Sequence, residues 1–316
     1  MLELLGALGG LIILLVAGDA LVRGAVNLSL RLGIPALIVS LTVVAFGTSA
    51  PELLIAIQAV IDGVPGMAMG NVVGSNTANV LLVLGIPALF SGLPTSQSRT
   101  QKSYVQMIAA TLLFIAVCFF GPITWVHALV LLGGMAIILT DQFRDALNGR
   151  AKSKEEEAPE GADPTMPGWK VTAFLLAGLV GLPIGASLLV DNASAIAVRM
   201  GVSDTIIGLT LVAVGTSLPE LATTVVAAMR KHADVALGNV IGSNVFNLLV
   251  IVGIAGLVGP IPVPSAFLRF DLWVMLASSL ILIPVVFWHK DLGKRWGFAL
   301  CAVYVVYILI VLSSEV

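Results

Sequence analysis

Residues 39–86 of this chain return, without a gap, as residues 207–254: at a constant offset of 168, 22 of the 48 aligned positions are identical. The fold must therefore build one unit twice. The identities gather in two blocks. LTVVAFGTSAPEL at 41–53 pairs with LTLVAVGTSLPEL at 209–221, and GNVVGSNTANVLLVLG at 70–85 pairs with GNVIGSNVFNLLVIVG at 238–253. Both blocks are apolar apart from a few fixed polar positions, which raises the question of the solvent around them.

That solvent is a bilayer. Of the 316 residues 58% are hydrophobic and 11% charged, against about a quarter charged in soluble domains. Spanning helices need roughly 20 apolar residues each, and the runs divide into ten candidate spans at about 3–22, 34–61, 67–90, 103–120, 122–141, 170–190, 202–229, 235–258, 270–288 and 296–314. The expected fold class is an all-α integral membrane protein of ten transmembrane helices. Its first five-helix repeat is 1–141, its linker 142–169 and its second repeat 170–316. The N-terminal run lacks a basic n-region and carries Glu3, so it is read as a retained span rather than a signal peptide. Five crossings per repeat is an odd number, so the second copy enters from the opposite face and the repeats are inverted. Inverted repeats are the mark of secondary transporters, whose sites lie near the midplane between the copies.

Charge placement sets the orientation. Arg23, Arg31, Arg99, Lys102, Arg144, Arg150, Lys152, Lys154, Lys170, Arg230, Lys231, Lys290, Lys294 and Arg295 fall on one side of these spans, 14 of the 16 basic residues, leaving Arg199 and Arg269 on the other. By the positive-inside rule the linker is cytoplasmic and both termini are non-cytoplasmic, in a plasma (inner) membrane. The net charge of −2 gives no reason to expect nucleic acid. The acidic residues of the linker lack the glycine turn and ligand alternation of a calcium loop, and read as a solvated connector. Cys118 and Cys301 lie in apolar runs as small hydrophobes. His127, His232 and His289 fall at span edges or turns and are expected at the surface, and Asp19 is expected to pair with Arg23 one helical turn away.

Glu52 and Glu220 stand in the middle of apolar runs at equivalent repeat positions, where a charge costs at least about 2.5–3.5 kcal/mol on insertion scales. No Lys or Arg lies in the central part of any span, so a cation is the natural partner. Each Glu closes a Gly-Thr-Ser-x-Pro-Glu motif: Gly47, Thr48, Ser49 and Pro51 in one copy, Gly215, Thr216, Ser217 and Pro219 in the other. Proline removes the helical hydrogen bond to the carbonyl four residues earlier. The motif thus predicts a broken helix whose bare carbonyls are tolerated in lipid only where they line a cavity or bind an ion. In the second block Asn71, Ser75 and Asn79 recur at i, i+4 and i+8, as do Asn239, Ser243 and Asn247, giving one polar stripe per helix. Asn79 and Asn247 are the deeper members and the stronger site candidates. The GxxxG pairs Gly70/Gly74 and Gly238/Gly242 suit close backbone approach. An oxygen-only donor set with two carboxylates suits Ca²⁺, which takes six to eight oxygens. Zinc or copper would want the Cys or His that these blocks lack.

These paired motifs, GTSxPE and GNxxGSNxxN, resemble the two alpha repeats of the calcium/cation antiporter superfamily, and in particular its prokaryotic sodium/calcium exchangers. The resemblance implies that the second, third, seventh and eighth spans build a central site while the first and sixth slide. It further implies that Glu52 and Glu220 ligate Ca²⁺ with the carbonyls of Thr48 and Thr216, and that sodium ligands include Ala45, Ser49, Ser75, Ala213, Ser217 and Ser243. Asn79 corresponds to the family's central amide. Asn247 departs from members that carry an Asp there, and the linker of about 27 residues is too short for the large regulatory domain of animal relatives. The expected function is Ca²⁺/Na⁺ antiport by alternating access, with inorganic cations and the bilayer as partners. No enzyme activity, resident cofactor or obligatory protein partner is implied. A proton-coupled calcium antiporter is the nearest rival. A cation channel fits the inverted pseudo-symmetry poorly, and an intramembrane protease lacks its paired Asp or HExxH.

Overall fold

The computed structural model describes residues 2–149, 163, 165–201 and 213–314, and nearly all of them are helical. Eight helices are long and apolar enough to span a bilayer. They are α1 (Leu2–Leu32), α4 (Pro65–Phe90), α5 (Gln101–Phe119), α6 (Trp125–Gly149), α7 (Gly168–Arg199), α10 (Ala233–Val258), α11 (Phe267–Phe287) and α12 (Lys294–Ser314). A ninth span is a broken pair, α2 (Ala36–Thr48) and α3 (Ala50–Ile61), bent by 44°. The pair α8 (Ala213–Thr216) and α9 (Leu218–Met229) occupies the corresponding place in the second copy. The first half of the span expected at 202–229 lies outside the described residues.

The layering follows from hydropathy. α4 and α10 are 78% and 83% buried over their most apolar windows, whereas α6, α7 and α12 are each 22% buried. The two motif helices are the centre, and α6, α7 and α12 are the most exposed of the long apolar helices. α1 and α7 pack together antiparallel: Glu3 pairs with Arg199, Gly10 faces Gly185, and Arg31 lies beside Gly168. A Cβ on Gly10 would stand 2.6 Å from the Leu189 amide nitrogen and 2.8 Å from the Gly185 carbonyl oxygen, so only glycine allows this contact. Two short β-bridges brace the loops. Leu93 and Leu292 exchange N–H···O bonds of 2.9 and 3.1 Å, and Ile123 and Ile261 exchange bonds of 2.8 and 2.9 Å.

Several expected boundaries move. α1 extends ten residues past 22 because Arg23, Asn27 and Arg31 leave hydrocarbon without leaving the helix: the Asn27 amide donates to the Arg23 carbonyl at 2.8 Å. α6 runs to Gly149, into the stretch expected as linker. There Asp141 and Asp145 hold Lys102 at 2.7 and 2.6 Å, and Gln142 is buried against Gln106. Asp19 makes its expected pair with Arg23 at 2.8 Å and a second with Arg230 at the end of α9. His289 is exposed and His127 half-buried, but His232 is buried at 9% exposure. Its place in the tight α9–α10 turn, where Lys231 has φ +59°, folds it inward. Cys118 and Cys301 are both free thiols.

Candidate functional site

Both GTSxPE motifs break their helix at the serine. Ser49 adopts φ −90°, ψ 6° and Ser217 φ −86°, ψ 4°, two residues before the prolines that cannot donate to a preceding turn. α3 and α9 restart with Pro51 and Pro219 in their first turns, a position where the missing N–H costs nothing. Glu52 and Glu220 consequently sit in the first turn of a helix, at 1% and 0% exposure. The π-helical turns Asn79–Val83 and Asn247–Ile251 interrupt α4 and α10 at the same level of the motifs.

Across the copies the polar residues interlock. Ser49 Oγ donates to Glu220 Oε1 at 2.9 Å, and Ser243 Oγ reaches the same oxygen at 3.5 Å. Thr48 Oγ1 lies 3.3 Å from Asn239 Oδ1 and 3.4 Å from Ser243 Oγ. The counterpart contacts are present in the other copy, with Thr216 Oγ1 3.3 Å from Asn71 Oδ1 and 3.5 Å from Ser75 Oγ. Asn239 Nδ2 donates to the Glu220 carbonyl at 3.2 Å and to Thr224 Oγ1 at 3.1 Å. Position 56, the counterpart of Thr224, is Ala, and Asn71 Nδ2 finds no acceptor among the described residues. Ala45 is buried beside Gly242, where a glycine Cβ would come within 2.7 Å of the Ala45 Cβ. The Ala213 backbone belongs to α8.

The two carboxylates belong to one cluster, since Ser49, which opens the Glu52 helix, donates to Glu220. Nine buried polar side-chain atoms lack a hydrogen-bond partner among the described residues, and seven belong to this cluster. Six of the seven are oxygens: both of Glu52, Glu220 Oε2, Asn79 Oδ1, Asn247 Oδ1 and Ser217 Oγ. Buried acceptors facing no donor are costly, and two buried like charges more so. An unhydrated hard cation meets both needs, since carboxylate, amide and hydroxyl oxygens are its preferred ligands. The donor set contains no sulfur or imidazole, and no cluster of three or more His, Cys, Asp or Glu that could hold a metal ion occurs among the described residues.

The structure brings most of the residues singled out from the sequence into one buried polar cluster. Glu52, Glu220, Thr48, Ser49, Thr216, Ser217, Ser75, Ser243, Asn79 and Asn247 are its polar members, and Ala45 and Ala213 each stand four residues before the break of their own helix. Asn76 and Asn244 were not singled out, yet each is 1% exposed and joins the network: Asn247 Nδ2 donates to Asn76 Oδ1 at 3.0 Å and Asn79 Nδ2 to Asn244 Oδ1 at 3.1 Å. Both are fixed positions of the GNxxGSNxxN motif as well as polar within an apolar block. They fall off the i, i+4, i+8 stripe. The GxxxG expectation is met at Gly242, where a Cβ would stand 2.6 Å from the Leu41 carbonyl oxygen. Among the described residues a Cβ on Gly70 would meet Phe267 at 3.9 Å and one on Gly74 would meet nothing within 4 Å.

Broken helices whose carboxylates meet between two related halves define a cation transporter, and likeness to known proteins agrees. A family model described as sodium/calcium exchanger protein matches residues 2–143 and 170–313: the chain belongs to the sodium/calcium exchanger family, membrane antiporters rather than enzymes. It is 33% identical to sodium/calcium exchanger MaX1 of Methanosarcina acetivorans, with 95% of this chain and 96% of that one covered. It is 34% identical to the putative antiporter CaxA of Alkalimonas amylolytica, over 87% and 86% of the two chains. A solved structure of the sodium-calcium exchanger NCX_Mj superposes with a TM-score of 0.81 at 29% identity, covering 98% of both chains.

Proposed function

We propose that this protein exchanges Ca²⁺ for Na⁺ across the plasma membrane by alternating access, with Glu52 and Glu220 as the charged ligands. The observation that carries the reading is the set of six buried oxygens, drawn from both copies, that have no hydrogen-bond partner among the described residues. Glu52, Glu220, Thr48 and Thr216 would serve Ca²⁺, and Ala45, Ser49, Ser75, Ala213, Ser217 and Ser243 would add sodium positions, with Asn79 and Asn247 between them. Ten spans in two inverted five-helix repeats, 1–141 and 170–316 around a cytoplasmic linker at 142–169, complete the reading. The antiparallel packing of α1 on α7, which occupy corresponding stretches at the offset of 168, supports the inversion. Their glycine-lined contact and lipid-facing outer surfaces suit a pair that moves as one body.

The counter-ion follows from charge arithmetic. Two ionised Glu contribute −2, because Asn79 and Asn247 are neutral amides. Ca²⁺ neutralises the site and three Na⁺ leave an excess of +1, so three-sodium exchange is electrogenic at about 2.3 kcal/mol per charge per 100 mV. Ca²⁺ uptake into sodium-loaded proteoliposomes, with valinomycin and potassium setting the voltage, is expected to need sodium and to respond to potential. Uptake that needs sodium but ignores voltage rules out three-sodium coupling, and uptake driven equally by a pH gradient without sodium assigns proton coupling instead.

Orientation has its own test. A Cys introduced at Ser153 is expected to resist an impermeant thiol reagent added outside intact cells and to react in inside-out vesicles. Labelling from outside intact cells would reverse the assigned topology.

A further inference from the structure

The four amides at the centre form a closed circuit whose direction is fixed by the backbone. Asn76 Nδ2 donates to the main-chain carbonyl of Asn244 at 3.1 Å, and Asn244 Nδ2 donates to the main-chain carbonyl of Asn76 at 3.3 Å. A carbonyl oxygen can only accept. Each of these side chains must therefore turn its nitrogen to the opposing backbone and its oxygen away. That oxygen is the acceptor for the next amide: Asn76 Oδ1 receives Asn247 Nδ2 at 3.0 Å, and Asn244 Oδ1 receives Asn79 Nδ2 at 3.1 Å. With their nitrogens so engaged, Asn247 and Asn79 are left with Oδ1 as the free end, and these two buried oxygens meet no donor among the described residues. All four residues are at most 1% exposed, so water does not compete for the hydrogen bonds.

We propose that Asn76 and Asn244 are positioning residues that set the polarity of the site amides, Asn76 acting through Asn247 and Asn244 through Asn79. An amide has a donor end and an acceptor end of nearly equal size. A cation is repelled by the first and bound by the second. Without a fixed partner, Asn79 and Asn247 would be free to turn either end toward the site, so a cation would first have to order them. The circuit does this in advance, which is preorganisation in the sense that lowers the cost of binding. Because each positioning residue belongs to the opposite copy from the amide it orients, neither half of the protein assembles a cation-ready site alone.

This inference rests on the cation-exchange reading, and a double-mutant cycle separates the two. Ca²⁺ affinity is read from the calcium-dependent rise in melting temperature of purified protein, which needs no turnover. Asn76→Ala is expected to weaken Ca²⁺ by about tenfold in the wild-type and Asn79→Ala backgrounds, but by less than about twofold beside Asn247→Ala. Asn244→Ala is expected to show the mirror pattern, silent beside Asn79→Ala only. Asn76→Ser serves equally if the alanine variant does not accumulate, since a serine that bonds the Asn244 carbonyl still offers Asn247 no carbonyl acceptor. The same loss in all three backgrounds would reduce Asn76 and Asn244 to a clamp between α4 and α10 and overturn the assignment, as would unchanged Ca²⁺ affinity in the single variants. Wild-type protein that shows neither calcium stabilisation nor Ca²⁺ uptake would instead overturn the exchange reading itself.

Discussion

Gln in place of Glu52 or of Glu220 is expected to abolish Ca²⁺ transport. Each substitution removes one of the two charges balancing a divalent ion in a site that excludes water. Loss of one member of a buried, compensated set costs about 3–5 kcal/mol, or roughly two to three and a half orders of magnitude in affinity. The fold should survive, because the amide is isosteric and removes a buried charge; in the 220 variant its oxygen can still accept from Ser49. The expected signature is therefore a melting temperature at or above the parent's in calcium-free buffer, with calcium-dependent stabilisation lost. Near-normal uptake of labelled Ca²⁺ by either variant would place the ion elsewhere.

Leucine at Gly242 is expected to be the most damaging change outside the carboxylates. A Cβ there meets the Leu41 carbonyl oxygen at 2.6 Å, the Leu41 Cα at 2.8 Å and the Ala45 Cβ at 2.7 Å. Two of these are backbone atoms and cannot rotate aside, so α10 has to separate from α2. Overpacking of this kind costs about 1–3 kcal/mol and occasionally more. The displacement also carries Ser243 away from Thr48 and Glu220. Lower yield of monodisperse protein, a reduced melting temperature and lost transport are expected together. Gly133→Ala is the control, since nothing lies within 4 Å of a Cβ at that position among the described residues. A Gly242→Leu protein with parental stability and transport would show that the helices have slack at this crossing.

What the sequence revealed, and what it hid, divides along the range of the interactions. Glu52 and Glu220 could be found because a carboxylate inside an apolar run is anomalous at the level of single residues. The duplication then turned one anomaly into a site. The helix breaks at Ser49 and Ser217 were announced by prolines two residues on. Asn76 and Asn244 escaped because their partners stand on another helix 168 positions away, and spacing along one helix says nothing of that. The buried His232 escaped for a similar reason: a turn residue is exposed by default, and only the positive φ at Lys231 folds this one inward. Helix ends were misplaced wherever polarity was taken for an end. Arg23–Leu32 and Gln142–Gly149 are polar because they leave hydrocarbon, and they stay helical because their side chains find partners along and between helices.

The lengths of α1 and α7 have a consequence for the surrounding lipid. At 31 and 32 residues the two helices measure about 46 and 48 Å, well over the roughly 30 Å hydrocarbon core. Their charges are spaced unequally. Glu3 and Asp19 of α1 are 16 residues apart, about 24 Å, while Lys170 and Asp191 of α7 are 21 apart, about 32 Å. The helices are bound side by side, so no single depth suits both: a bilayer matched to α7 draws one charged end of α1 toward its acyl chains. Each ångström of such mismatch costs a fraction of a kcal/mol, and it falls on the pair that lies against Ala222 of the Glu220 helix. Acyl-chain length thereby bears on how the α1–α7 pair sits against the Glu220 helix, a load set by the membrane and carried by a glycine-lined contact.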